Sequence, residues 1–323
     1  MQSNKKEKKN MKKIILSALA LVALASCTKD ETSTVVLSDT AATFTASTTT
    51  TRTTEVEDAN GTITTEWAGD EQIGIFAYVT GTLATPIYNN VSYTTDASGD
   101  LTADTEVIYY PQTASVDFYA YYPYSTTAVS GTTYSSDITT QSDRSAIDLL
   151  YAKIEDQEKV KTAVAFEFAH ALSRVQLNIT LKTGSGISTM AGMVVELEGM
   201  SGTATFDLTT GAMLTSTAAS GYIEMQTDES DPTEIVATGL FYPETTGDDA
   251  KIRLTIDADL EQDGNNDFFQ AAFNGIDLST AGKNYIFNVE VGYTQAEITG
   301  CTIEDWDSVE DTDKIDADII PQN

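Results

Sequence analysis

The chain has 323 residues, with 18 Lys and Arg against 49 Asp and Glu, a formal net charge of −31. That balance excludes the basic surface on which nucleic-acid binding depends, and equally a polybasic patch for anionic lipid. Apolar residues make up 41% of the chain, which excludes wholesale disorder, and two Cys with one His are too few for a disulfide scaffold or a Cys/His zinc site.

The first 26 residues read as an address and not as part of the fold. Met1–Lys13 carries six Lys and one Glu, and Ile14–Ala25 is an apolar run too short to span a membrane. It ends in Leu24-Ala25-Ser26-Cys27. This resembles a bacterial lipobox, which implies cleavage before Cys27 and acylation of its thiol. Met11-Lys12-Lys13 is a second possible start. Lys29-Asp30-Glu31, just after Cys27, resembles the surface-export signal of Bacteroidetes lipoproteins. Removal of residues 1–26 leaves 12 basic and 48 acidic residues, a net charge of −36.

The mature chain reads as strands and turns. Ile73–Val79 and Val116–Tyr122 are β runs. Val164–Phe168, Val175–Leu181, Lys251–Ile256 and Asn284–Val291 alternate apolar and polar residues with the period of two that marks half-buried strands. Turn chemistry separates them at Ala59-Asn60-Gly61, Ala97-Ser98-Gly99-Asp100, Thr209-Thr210-Gly211 and Asp263-Gly264-Asn265-Asn266. Many short strands at such spacing predict an all-β fold of sandwich type. One segment departs from this. In Ser145–Lys161, Ile147, Leu150, Tyr151 and Ile154 follow i, i+3, i+4, i+7 behind a capping Ser145, so local physics predicts a short helix there.

Several segments, in order, carry a family resemblance. They are Thr51-Arg52-Thr53, then Glu66-Trp67-Ala68-Gly69-Asp70-Glu71 running into Gln72–Phe76, Ala120-Tyr121-Tyr122-Pro123-Tyr124, and Asp148-Leu149-Leu150-Tyr151-Ala152. Val164–Leu177, Ala281–Val289 and Ile303-Glu304-Asp305-Trp306 follow. Together, and behind a lipobox, the set resembles the fimbrillins of Bacteroidetes, subunits of type V pili. The resemblance implies two tandem transthyretin-like β-sandwich domains, at 53–165 and 166–306, after a signal peptide at 1–26 and a tether with a removable first strand at 27–52. It places an extended segment, not a helix, after Ser145. It also implies an assembly route: export as an outer-membrane lipoprotein acylated at Cys27, cleavage after an Arg near the N-terminus, loss of the first strand, and strand exchange with another subunit.

The residues accommodate that route. Val35–Ala46 holds Val35, Val36, Leu37, Ala42, Phe44 and Ala46, enough apolar side chains for a removable strand, and Arg52 is the first Arg of the chain. Arg52 is equally compatible with an uncut strand position. In the acidic tail 307–323, Ile315, Ala317 and Ile319 alternate with Asp316 and Asp318, the pattern of a donor strand or of a loose tail.

Residues for catalysis are scarce. His170, the sole His, lies in a structural motif, and no Gly-x-Ser-x-Gly accompanies it. Cys301 reads as an inert buried thiol. Asp257, Asp259, Glu261, Asp263 and Asp267 cluster but lack EF-hand spacing. Trp67 and Trp306 read as core packing. No phosphate loop or dinucleotide fingerprint occurs. The resemblance implies a structural or adhesive subunit of surface fimbriae, and the scarcity of catalytic residues adds the expectation of no enzyme activity, no cofactor, no metal and no nucleic acid. Its partners would be other fimbrial subunits, the outer membrane through the lipid, and host or bacterial surface ligands. The alternative is a surface glycan-binding lipoprotein.

Overall fold

A computed structural model describes residues 35–48, 56–57, 63–64, 67–231, 233–256, 268–293, 295–306 and 315–316. The described residues contain strands and no helix. The first half holds β1 (Leu37–Ala41), β2 (Phe44–Thr48), β3 (Val56–Glu57), β4 (Ile63–Thr64), β5 (Gln72–Val79), β6 (Tyr88–Thr95) and β7 (Asp100–Ala103), then β8 (Tyr109–Pro111), β9 (Val116–Tyr122), β10 (Val129–Ser130), β11 (Thr133–Asp137), β12 (Leu150–Gln157) and β13 (Val164–His170). The second half holds β14 (Ser173–Leu181), β15 (Val194–Glu198), β16 (Ser201–Asp207), β17 (Ala212–Ala218), β18 (Ile223–Glu224) and β19 (Gln226–Asp231), then β20 (Glu234–Phe241), β21 (Lys251–Thr255), β22 (Phe268–Ala272), β23 (Lys283–Val291), β24 (Ala296–Asp305) and β25 (Ile315–Asp316). The six segments read as strands from the sequence are β5, β9, β13, β14, β21 and β23.

Seven strands of the first half close into a ring, β12-β13-β2-β7-β6-β5-β9. Its interior is built on Phe44, Tyr93, Phe118, Phe166 and Phe168. In the second half, the sheets β19-β20-β14-β23-β24-β25 and β18-β15-β21-β22 enclose a common core with Leu177, Leu197, Leu254 and Phe287. Their strands keep the predicted alternation: β21 buries Ile252 and Leu254, and β22 buries Phe269 and Ala271.

β5 and β9 are the wall between these cores. Every residue of β9 is buried. Val116, Phe118, Ala120 and Tyr122 face the ring interior, while Tyr119 and Tyr121 join Phe76 and Tyr78 of β5 in the second core. A strand covered on both faces reads as a near-continuous apolar run, not an alternating one, and Val116–Tyr122 does so apart from Asp117, whose carboxylate accepts from the Thr80 hydroxyl at 2.9 Å and the Asp156 amide at 2.8 Å. A further sheet, β10-β11-β16-β17, pairs β11 of the first half with β16 of the second, so the halves share main-chain hydrogen bonds as well as side chains.

The predicted helix over Ser145–Lys161 is not formed. Only one turn exists: the Ile147 and Asp148 amides donate to the Arg144 carbonyl at 3.1 and 2.9 Å. The side chain of Asp143, not that of Ser145, accepts from the turn, taking the Ala146 amide at 3.3 Å. From Leu150 the chain is strand β12, paired with β9 on one side and β13 on the other. Leu150 and Ala152 are buried and Lys153 is exposed, so Leu150 and Ile154 of the helical stripe fall with Ala152 on one face at a period of two. Two ready partner strands outweigh the weak helical preference of so short a segment.

Candidate functional site: the slot of the N-terminal strand

β2 sits inside the ring with both edges paired. It runs parallel to β13, with Phe44 opposite Val164, Ala46 opposite Phe166 and Thr48 opposite Phe168. On its other edge it is antiparallel to β7, with Phe44 opposite Leu101. Before it, β1 pairs with β8, and the Ala42 amide donates to the Ile108 carbonyl at 2.8 Å.

The burial of this segment follows from its sequence. Ala42, Phe44 and Ala46 are buried, while Thr43 and Ser47 between and beyond them are exposed. Successive side chains of a strand point to opposite faces, so this small–large–small series is one face of β2. Phe44 meets Tyr93 and Phe118 edge to face, at ring centroid distances of 5.4 and 5.1 Å, and stacks on Phe166 at 5.4 Å. Such pairs add to the stabilisation given by area alone.

The end of β2 is clamped. The Trp67 indole N–H donates to the Ala46 carbonyl at 3.0 Å, and the Ala46 amide donates to the Gly99 carbonyl at 2.7 Å. Gly99 has φ 81°, and a Cβ there would lie 2.1 Å from the Ala46 oxygen. Only glycine permits that approach. Glu71 organises the loop carrying Trp67: its carboxylate accepts from the Ala68 and Gly69 amides at 2.7 and 2.9 Å and from the Thr95 hydroxyl at 2.7 Å. Sequence reasoning identified Trp67 as core but not the bond to Ala46, because nothing local ties residues so far apart.

β13 depends on β2. It pairs with β12 only at Ala169 and His170, so Val164–Phe168 finds its ladder in β2. Without β2, that run and Leu101 of β7 would present unpaired backbone groups beside an apolar slot.

The remaining candidates divide clearly. Cys27, Arg52 and the acidic cluster 257–267 lie outside the described residues. His170 is buried, its Nδ1 2.7 Å from Asp148, its ring stacked on Trp306 at 3.6 Å and 6°. Its Nε2 is buried with no hydrogen-bond partner, so the imidazole is packed within the fold. Cys301 is half-buried, not fully buried as the sequence suggested, and this partial burial pushes its thiol up to about 11, which keeps it protonated at neutral pH. Trp67 and Trp306 are both buried. Among the described residues, no group of three or more His, Cys, Asp or Glu could hold a metal ion. Of the tail, Ile315 and Asp316 are described. They form β25, antiparallel to Ile303 and Thr302 of β24.

The chain is similar to known proteins over most of its length. A model of fimbrillin-like proteins matches residues 51–306. A candidate fimbrium subunit of Bacteroides uniformis, Fim1C, is 30% identical over 250 residues, covering 74% of this chain and 78% of that protein. A crystal structure of a candidate cell adhesion protein, also from Bacteroides uniformis, superposes with a TM-score of 0.62 at 28% identity, covering 82% of this chain and 99% of the other. A second, from Bacteroides ovatus, shares the fold with a TM-score of 0.62 at 18% identity, covering 84% and 99%. With an all-β fold, an apolar N-terminal strand seated in a ring, and a family match that spans both halves, this chain belongs to the fimbrillin-like family of fimbrial subunits.

Proposed function

We infer that the chain is exported as an outer-membrane lipoprotein acylated on Cys27 and joins a surface fimbria by strand exchange after cleavage behind Arg52. The observation that carries this reading is the place of β2. Its side chains fill the core of the ring and both its edges are paired, yet it ends at Thr48, only four residues before Arg52. A cut after Arg52 would sever β1 and β2 from everything they pack against. Their departure would leave a slot lined by Tyr93, Phe118 and Phe166 between β7 and β13. A strand of a neighbouring subunit can restore both the apolar packing and the ladder, by β-augmentation. The tail 307–323, with Ile315, Ala317 and Ile319 alternating, is the segment of this chain suited to be such a donor. Within the same reading, the two sandwich domains meet within Phe166–Val175, after β13 has closed the first ring, and the second reaches residue 306. The partners are other fimbrial subunits, the outer membrane through the lipid of the precursor, and surface ligands of host or bacterium.

N-terminal sequencing and mass spectrometry of the surface-exposed protein test the reading. The expected mature start is Thr53, lost in an Arg52→Ala variant together with fimbriae in electron micrographs. Acylated Cys27 at the start of all surface material would overturn assembly by strand loss.

A further inference from the structure

The N-terminal strand reports the shape of its slot. Ala42, Phe44 and Ala46 are its buried face, one large side chain between two methyl groups. Ala42 is 3% exposed and Ala46 5%, so a larger side chain at either position would press on the core and find no solvent to reach. Phe44 fills a cage of aromatic rings, edge to face on Tyr93 and Phe118 and stacked on Phe166. An aliphatic side chain there would leave part of the cage empty and make none of these ring pairs. The backbone is specified as well. The Ala42 and Ala46 amides donate to the carbonyls of Ile108 and Gly99, so proline at either position loses a bond.

The tail 307–323 does not match this slot. It contains no aromatic residue. A strand offers alternate residues to one face, so three alternate residues must take the places of Ala42, Phe44 and Ala46. In either chain direction, only three such sets avoid burying a charge. One is Ile315, Ala317 and Ile319, which is large–small–large, the inverse of the slot. The others are Ala317, Ile319 and Pro321, and Ile319, Pro321 and Asn323. Both set Pro321 in a strand that must pair along two edges, where it has no amide to give.

We propose that, given the strand-exchange reading above on which this rests, the vacated slot accepts a donor strand with an aromatic residue between two small ones on its buried face. That strand belongs to a different subunit and not to a second copy of this chain. The wide middle of the slot selects the aromatic side chain, and its narrow ends exclude anything much larger than alanine. The tail's own large–small–large face suits a slot of the opposite pattern. The chain therefore joins unlike neighbours, one through the slot it opens and another through the strand it gives.

Peptide exchange tests the proposal on the full chain, cut after Arg52 by limited trypsin treatment and held in mild urea that leaves it folded. Four labelled peptides are the probes. Two are residues 35–52 of this chain and the same peptide with Ala42→Ile, Phe44→Ala and Ala46→Ile. The others are residues 307–323 and that peptide with Ile315→Ala, Ala317→Phe and Ile319→Ala. The unaltered 35–52 peptide and the altered tail peptide should enter the slot, and the two large–small–large peptides should bind about a hundredfold more weakly. Entry of residues 35–52 with equal binding of the unaltered tail peptide, or with no gain from the three changes in the tail, would overturn the proposal and leave strand exchange standing. Entry by no peptide at all would overturn the strand-exchange reading, and the proposal with it.

Discussion

Trp67 donates its indole N–H to the carbonyl of Ala46, and this one bond fastens the end of β2 to a loop 21 residues away in sequence. The bond is buried, so its loss leaves a carbonyl without its donor. Trp67→Phe keeps an aromatic ring against Tyr122 and Phe168 but removes the donor. The expected cost is about 1–3 kcal/mol in urea unfolding, the range for a buried group left unsatisfied. Trypsin should also release residues before Thr53 faster than in the parent chain. Unchanged stability together with unchanged proteolysis would show that the clamp does not hold β2.

Phe44 is the anchor of the same strand. It is buried against Tyr93, Phe118 and Phe166, and a Phe→Ala change at such a site removes transfer energy and leaves a cavity. Phe44→Ala should lower stability by about 3–5 kcal/mol. A cost below about 1 kcal/mol would mean that the ring collapses readily around the vacancy, contrary to the packing described.

Gly99 and Gly81 make a matched pair. Both have positive φ, 81° and 76°, but a Cβ at Gly99 would strike the Ala46 oxygen, whereas one at Gly81 meets nothing within 4 Å. Gly81→Ala therefore carries only the conformational cost, about 1–2 kcal/mol. Gly99→Ala adds a backbone clash and should cost clearly more, with melting temperatures ranking parent, Gly81→Ala, Gly99→Ala. The reverse order of the two variants would sink the account of Gly99 as a point of close approach.

The strands were legible where a single physical cause produced them. The alternation in Val175–Leu181 and Lys251–Ile256 reports a sheet with one buried face, and β14 and β21 follow it. The run Val116–Tyr122, apolar but for Asp117, marked a strand, but not that its two faces serve two cores, because sequence shows burial and not which neighbours provide it. Ser145–Lys161 misled because Ile147, Leu150, Tyr151 and Ile154 fit a helical stripe, while the partners that make the segment a strand, β9 and β13, are distant in sequence. At the slot, the apolar content of Val35–Ala46 pointed to a strand of value to the core. The parallel register against β13 and the clamp at Ala46 lie in long-range pairing that no local pattern encodes.

Alkaline pH should unfold this protein earlier than its acidic composition suggests. Burial pushes Tyr93 up to about 12, opposed in part by the Ile108 amide that donates to its hydroxyl. Burial, reinforced by the nearby charges of Asp117 and Glu155, does the same to Tyr119. Burial also raises Cys301 to about 11. All three groups are neutral when protonated, and all keep their protons longer in the folded state than in the unfolded chain. The unfolded state therefore binds fewer protons over the interval between the ordinary and the raised values. The resulting stability is complete below about pH 9, the lowest of the ordinary values, and falls as pH rises towards 12. Thermal unfolding followed from neutral pH to strong alkali should show a steep decline over that window, lessened in Tyr93→Phe. Cys301 gives a separate readout. With Cys27 replaced by Ser, iodoacetamide at about pH 8.5 should label the native protein far more slowly than the urea-unfolded chain. Equal labelling rates would mean that the thiol is open to solvent and that its protonation does not report on folding.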